Sequence, residues 1–250
     1  MKILELKNVS LNYFSKSGET KALDNITFSI EEQEFVSIVG PSGCGKTTIL
    51  SLISGILQPT RGEIKLYDKP IKNISTDIGY MFQKDELFEW RTILDNIYLG
   101  LEIQKKLNKQ TKEYVNTLLK KYGLWDFRNS HPSELSGGMR QRAALIRTLA
   151  LQPKVLLLDE AFSALDYQTR LNVCNDVYEI LKAEKVTSIL VTHDLTEAIS
   201  MSDRIIVLTK RPARIKKTYT LTKSSELTPL ERRDTPENKE IFEKLWRDLQ

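Results

Sequence analysis

The run GPSGCGKT, Gly40 to Thr47, constrains this chain more than any other stretch. It fits G-x-x-x-x-G-K-[ST], a loop whose backbone N–H groups and single lysine wrap phosphates. Such a loop needs a strand running in and a helix running out. Both are legible. Phe35 to Val39 is an apolar run that predicts a buried strand, and Thr47 to Leu57 places Ile49, Leu52, Ile53 and Ile56 on one helical face. Gly40, Gly43 and Gly45 let the loop curl with its N–H groups inward. Pro41, Ser42 and Cys44 occupy the positions between them. Lys46 is expected to reach the β- and γ-phosphates of a nucleotide, the Thr47 hydroxyl a Mg2+ ion, and Thr48 the α-phosphate.

A second run, LSGGMRQR from Leu135 to Arg142, is rarer. Ser-Gly-Gly opening a helix allows close backbone approach and aims a helix N-terminus at an anion. One nucleotide needs only one phosphate cradle. A second cradle in the same chain implies that each nucleotide is held by two chains, the loop coming from one and Ser136, Gly137 and Gly138 from the other.

The remaining pattern is α/β. Residues 2–11 alternate and predict a strand, SKSGETK (Ser15 to Lys21) a hairpin loop, and Ile26 to Ile30 a second strand. Short strands are expected at Gly62 to Tyr67 and Ile78 to Phe82. From about residue 85 to 150 the period turns helical, with helices over Thr92 to Leu101, Lys112 to Tyr122, and from the Ser-Gly-Gly run to about Ala150. Val155 to Asp159, Thr187 to Thr192 and Arg204 to Thr209 fit buried parallel strands. Tyr167 to Ala183 fits a helix between two of them, with Cys174 on its apolar face.

At this point the chain resembles the ATP-binding-cassette family, over nearly its whole length. The elements that carry the resemblance occur in family order: an aromatic near the start (Tyr13), the phosphate loop, Gln83, LSGGMRQR, VLLLDE (Val155 to Glu160), SALD (Ser163 to Asp166) and His193. The fold implied is a P-loop NTPase core with a mixed, largely parallel sheet, an N-terminal antiparallel β subdomain and an inserted α-helical subdomain. Residues 1–222 would form the nucleotide-binding domain, with the helical subdomain at about 85–150, and residues 223–250 a tail with a terminal helix. In that tail Thr235 is expected to cap a helix with Pro236 at its first position. Ile241, Phe242, Leu245, Trp246 and Leu249 form a stripe expected to dock on the chain's own body or on a second copy, with a regulatory ligand-binding role as the alternative.

The resemblance also implies roles. Asp159 would bind Mg2+ and Glu160 would act as the base for the attacking water. His193 would sense the γ-phosphate. Gln83, at the junction between core and helical insertion, would contact Mg2+ or the water and transmit movement, and Asp166 would cross a homodimer interface. Tyr13 would stack on adenine, with Phe14 left open as the alternative ring. His131 matches no motif position. The chain departs from the usual pattern at Ala161, where many relatives carry proline, at Gln33, and at Thr47, where serine is commoner. None of these removes a catalytic group, so an active ATPase is expected. Cys44 is expected to be a reactive thiolate at the loop, and Cys174 buried.

The stretch LFEWRTILDNI, Leu87 to Ile97, and the ending ENKEIFEKLW resemble the nitrate/sulfonate/taurine uptake branch. That branch implies a bacterial importer. Its parts would be two copies of this chain at the cytoplasmic face of the membrane, two permease subunits, and an extracytoplasmic substrate-binding protein contacted only indirectly. Phe88 and Trp90 are expected at the surface, as permease contacts; packing beneath the helical subdomain is the alternative. A soluble ATPase of DNA repair or the ribosome is the other reading of the cassette. It usually carries a long coiled coil or a second cassette, and neither is present.

Composition agrees. The chain has 250 residues, 40% of them hydrophobic, enough for a sizeable core. No apolar stretch approaches the ~18 residues that span a bilayer. Its two cysteines suggest no disulfide framework. The net charge of +4 is spread out, densest in KRPARIKK, Lys210 to Lys217, which reads as a solvated hairpin or strand end, with contact to anionic lipid headgroups beside a membrane partner as the alternative. No nucleic-acid-binding motif accompanies it, so no nucleic-acid partner is expected.

Overall fold

The computed structural model describes residues 1–15, 18–221, 227–233 and 235–250. In chain order the elements are β1 (Lys2–Ser15), β2 (Gly18–Glu31), β3 (Phe35–Val39), α1 (Lys46–Ile53), β4 (Arg61–Leu66), β5 (Lys69–Pro70) and β6 (Ile78–Met81). There follow α2 (Ile93–Ile103), α3 (Lys109–Lys121), α4 (Gly137–Leu149), β7 (Val155–Asp159) and α5 (Tyr167–Ala183). The chain closes with β8 (Thr187–Val191), α6 (Leu195–Met201), β9 (Arg204–Leu208), β10 (Ile215–Thr220), α7 (Pro229–Arg232) and α8 (Pro236–Leu249). These form two compact units, Met1–Ser75 with Lys185–Gln250, and Thr76–Glu184.

The first unit holds an antiparallel sheet in the order β2-β1-β4-β5. Alternation along β1 sends Leu4, Leu6, Val9 and Leu11 inward, and Leu4, Leu6 and Val9 pair with Ile30, Phe28 and Ile26 of β2. The same unit carries β3 between β8 and β9, both parallel to it, with β10 antiparallel on β9. Every residue of β3 and β8 is buried, which is why neither alternates; both are mostly apolar, with Ser37, Thr187 and Ser188 the buried polar members. The Arg204 guanidinium donates twice to the Glu34 carboxylate, at 2.7 and 3.0 Å, and ties the start of β9 to the start of β3. Below this sheet Val39, Leu195, Ile199, Val207, Leu221 and Leu245 share one core.

The second unit pairs β6 with β7 in parallel and packs α4 against α2 and α5. Its helices begin on residues with a short oxygen-bearing side chain. Thr92, Asn108, Ser136 and Asp166 each accept a backbone N–H from the third residue on. At the end of α5 the Glu184 carboxylate collects bonds from Lys121 (2.8 Å), Tyr122 (2.6 Å) and Tyr114 (3.2 Å), locking α3 to α5.

Most predicted elements lie within a residue or two of their expected bounds, and α5 matches at both ends. Three expectations change. The hairpin loop shrinks, because the β1–β2 ladder continues to Ser15 opposite Gly18; the side chains of Asn12 and Glu19 bond across it. Residues 16 and 17 of that loop lie outside the described residues, as do residues 222–226 and 234 of the tail. Helix α1 stops at Ile53, not Leu57, where the N–H of Ser54 and Gly55 turn back to Leu50 and Leu52. The tail helix does begin at Thr235 and Pro236, but its stripe is split. Leu245 is fully buried, with Ile241 and Leu249 partly packed beside it, while Phe242 and Trp246 stack on each other in solvent. Three apolar side chains suffice to seat this helix on the unit's core.

Candidate active site

The phosphate loop leaves the end of β3 and opens α1. Gly45 precedes the helix with φ of 121°, a backbone open to glycine, and a Cβ there would lie 2.8 Å from Leu23. Inside the curve the Lys46 ammonium donates to the carbonyls of Gly40 (2.9 Å) and Pro41 (3.2 Å), while Pro41 also accepts the Cys44 N–H. Ser42, Gly43 and Thr47 are exposed on the loop and Thr48 is half-buried behind them.

The Tyr13 hydroxyl lies 3.4 Å from Thr48 Oγ1, so this ring stands next to the first turn of α1. Phe14, one residue on, is far more exposed and pairs with Glu19. His193 follows β8, whose Val191 pairs with Ile38 of β3. The histidine and the phosphate loop therefore leave the same ends of neighbouring parallel strands, where α/β sheets place ligands. Asp194 caps α6 through the N–H of Thr196 and Glu197, and Thr192 donates to the buried Glu197 carboxylate at 2.7 Å. These contacts set the turn that carries His193.

One expectation fails in this unit. The Cys44 side chain points under the loop, 1% exposed, where its sulfur would crowd any Cβ on Gly40. Burial pushes its thiol pKa up and outweighs the opposing pull of Lys46. The loop's N–H groups do favour a thiolate, but the cost of desolvating the buried sulfur is larger.

In the second unit, Gln83 and the pair Asp159–Glu160 leave the same ends of β6 and β7, whose Met81 and Leu158 are paired. Asp159 is buried and accepts the Tyr80 hydroxyl at 2.8 Å. Burial first, then the Asp159 charge, raises the Tyr80 pKa well above its ordinary value, so the phenol stays a donor. Glu160 has φ of 48°, the left-handed region. Ser163 bonds the Glu160 carbonyl twice, through N–H at 3.0 Å and Oγ at 2.9 Å, and its Oγ also accepts the Gln83 amide at 2.9 Å.

Ser136 caps α4 by accepting the Met139 N–H at 3.3 Å. Gly137 is half-buried. Gly138 is buried, and a Cβ there would meet Val173 of α5 at 3.0 Å, so this glycine also serves close helix packing. Asp166 caps α5, and hydrogen bonds from Thr169 hold its carboxyl below the usual range. His131 sits in the loop before α4, with Nδ1 near the Glu89 carbonyl.

Three residues that sequence reading passed over shape this unit. Arg140 and Arg147, two turns apart on α4, hold the segment after Gln83: Arg140 bonds the Asp85 carboxylate, and Arg147 bonds the carbonyls of Asp85 and Glu86. Asn96, fully buried, accepts the Phe88 N–H at 2.7 Å, and its amide nitrogen lies within bonding distance of the carbonyls of Phe88, Arg91 and Thr92. The seven-residue spacing of the two arginines was the available signal. Asn96 gave none, since a buried asparagine reads like any polar helix residue.

Comparison with known proteins shows the family. The family model described as ABC transporter matches residues 23–163. An uncharacterised ABC transporter ATP-binding protein, YtlC of Bacillus subtilis (strain 168), is 43% identical over all of this chain and 96% of its own. The taurine import ATP-binding protein TauB of Jannaschia sp. (strain CCS1) is 37% identical, over 96% of this chain and 90% of its own. Among solved structures, the dimeric post-hydrolysis state of the cassette MJ0796 bound to ADP and Pi aligns with a TM-score of 0.73 at 32% identity, over 88% of this chain and all of that one. The chain belongs to the ABC transporter family. It has the P-loop NTPase fold of that family's ATPase cassettes, binds ATP and is an ATPase.

Proposed function

We propose that the chain is the ATP-hydrolysing subunit of a bacterial importer, working as a homodimer on the cytoplasmic face of the membrane beside two permease subunits. The observation that carries the two-chain site is the presence of two phosphate-type cradles in one chain. One is the loop around Lys46; the other is the Ser136-capped start of α4. The end-to-end similarity to a taurine import protein supports the nitrate/sulfonate/taurine branch over a DNA-repair or ribosomal ATPase. Among the described residues, no helix is long and apolar enough to cross a membrane; in the importer reading the solute's path belongs to the permease. A substrate-binding protein would act through that permease.

The residues divide the chemistry. Gly40 to Gly45 present backbone N–H groups to the phosphates, and Lys46 exchanges its two loop carbonyls for phosphate oxygens. Thr48 reaches the α-phosphate and Tyr13 stacks on the base. The donors of Thr47, Gln83 and Asp159 are a hydroxyl, an amide oxygen and a buried carboxylate. Oxygen donors of these kinds suit Mg2+, and by the family resemblance these residues would hold it. The ion would neutralise charge on the transferring phosphoryl group. Glu160 accepts the attacking water's proton, and His193 contacts the γ-phosphate. Ser136, Gly137, Gly138 and Asp166 serve the nucleotide bound on the partner chain.

Size-exclusion chromatography with ATP tests the two-chain site. Glu160→Gln should bind ATP, lose turnover and elute as a dimer. Lys46→Ala should lose ATP binding in its own chain. Ser136→Arg should keep monomer binding yet fail to dimerise. Ser136→Arg monomers that lost ATP affinity as badly as Lys46→Ala would refute it. Copurification with a permease from membranes, and ATPase activity stimulated by a sulfonate or nitrate in proteoliposomes, tests the importer branch.

A further inference from the structure

Ser163 makes three contacts in the second unit that its place in SALD does not announce. Its N–H and its Oγ–H both donate to the Glu160 carbonyl, at 3.0 and 2.9 Å. Its Oγ accepts the Gln83 side-chain amide at 2.9 Å. A serine hydroxyl has one hydrogen and two lone pairs. With its hydrogen committed to Glu160, it meets Gln83 only as an acceptor, which orients the Gln83 amide with its NH2 toward Ser163.

The Glu160 turn has reason to need such a clamp. Its φ of 48° is a conformation that residues other than glycine keep only where surrounding contacts enforce it. The Glu160 side chain projects from that turn, so whatever holds the carbonyl also aims the carboxylate. Gln83, at the end of β6, is joined to the turn through one oxygen atom.

We propose that Ser163 is a positioning residue that couples Gln83 to Glu160. Its hydroxyl holds the Glu160 turn in its left-handed form and, through the same oxygen, ties that form to the orientation of Gln83. A change of partner at Gln83 is thereby felt at the carboxylate. This rests on the reading of Glu160 as the base and Gln83 as a residue of the reaction site. Ser163 touches neither nucleotide nor water in this role.

The test is steady-state ATPase kinetics on Ser163→Ala, Ser163→Thr, Gln83→Ala and the double variant Ser163→Ala/Gln83→Ala. Ser163→Ala should lower kcat roughly 10- to 100-fold, the scale expected when a reacting group is misplaced by about an ångström. Its KM for ATP should stay within about twofold, because the loss falls on an interaction made in the transition state. Ser163→Thr, which keeps the hydroxyl, should recover most of the rate. The two alanine substitutions should be markedly non-additive, since they break one chain of bonds. Wild-type kcat in Ser163→Ala, strict additivity, or no recovery with threonine would overturn the proposal. Should Ser163→Ala not fold, the threonine variant and Gln83→Ala still report: equal kcat in wild type and Gln83→Ala would show that no coupling passes through Gln83. Turnover retained in Glu160→Gln would be a different failure, that of the base assignment.

Discussion

The Tyr80 hydroxyl donates to Oδ2 of Asp159 at 2.8 Å, joining the paired parallel strands β6 and β7 just before both strands end at the candidate site. The acceptor is buried and the donor's ring stacks on Phe82, 4.5 Å between centroids. Tyr80→Phe removes the donor and leaves the carboxylate one partner short. A hydrogen bond to a charged group contributes about 1.5–3 kcal/mol, so Tyr80→Phe should lose stability on that scale. It should also shift the Mg2+ concentration giving half-maximal ATPase activity, if Asp159 holds the ion. Urea denaturation and a Mg2+ titration check both, and an unchanged midpoint in each would show the bond to be dispensable.

Both cysteines are buried, and burial raises the Cys44 thiol pKa. Thiolate is the reactive form, so native protein near pH 7 should react slowly with a maleimide at either site. Adding denaturant should expose two reactive thiols per chain. Fast labelling of Cys44 in the native state would contradict the side-chain placement under the phosphate loop.

Phe88 and Trp90 lie on the surface, 37% and 74% exposed, with ring centroids 4.8 Å apart. The loop that presents them is held from beneath by Asn96 rather than by the rings. Phe88→Ala/Trp90→Ala should therefore leave thermal stability and basal ATPase activity near wild type while weakening copurification with the permease. Asn96→Ala should do the reverse to stability, costing about 1–3 kcal/mol for the buried partners it orphans. Thermal melts alongside a membrane pull-down separate the two effects.

Glu184 supplies a pH signature. Burial pushes its carboxyl up, but hydrogen bonds from Lys121 and Tyr122, together with the Lys121 charge, outweigh that and hold the pKa below its usual value. A carboxyl with a depressed folded pKa stabilises the native state above the unfolded pKa, about 4.3 for glutamate. That contribution fades as pH falls through the lower folded value. Wild type should lose more stability than Glu184→Gln on acidification from pH 6 to pH 3. Parallel acid-denaturation curves would remove Glu184 from the account.

The sequence alone determined the features whose cause is local. The phosphate loop, the helix it opens, the buried strands, the helix opened by Ser-Gly-Gly and the cap at Thr235 each depend on residues a few positions apart. Backbone sterics and hydrogen-bond reach act over that distance, so the pattern of residue types was enough. Tertiary structure alone decided the rest. Tyr80 and Asp159 stand 79 positions apart, Gln83 and Ser163 80, and Arg147 and Asp85 62. Such pairs exist only once strands and helices have packed, and nothing in the composition of either partner marks it. The inward turn of Cys44 and the outward turn of Phe242 and Trp246 were settled the same way. A motif fixes which backbone a residue joins, while burial depends on what the folded chain lays over it.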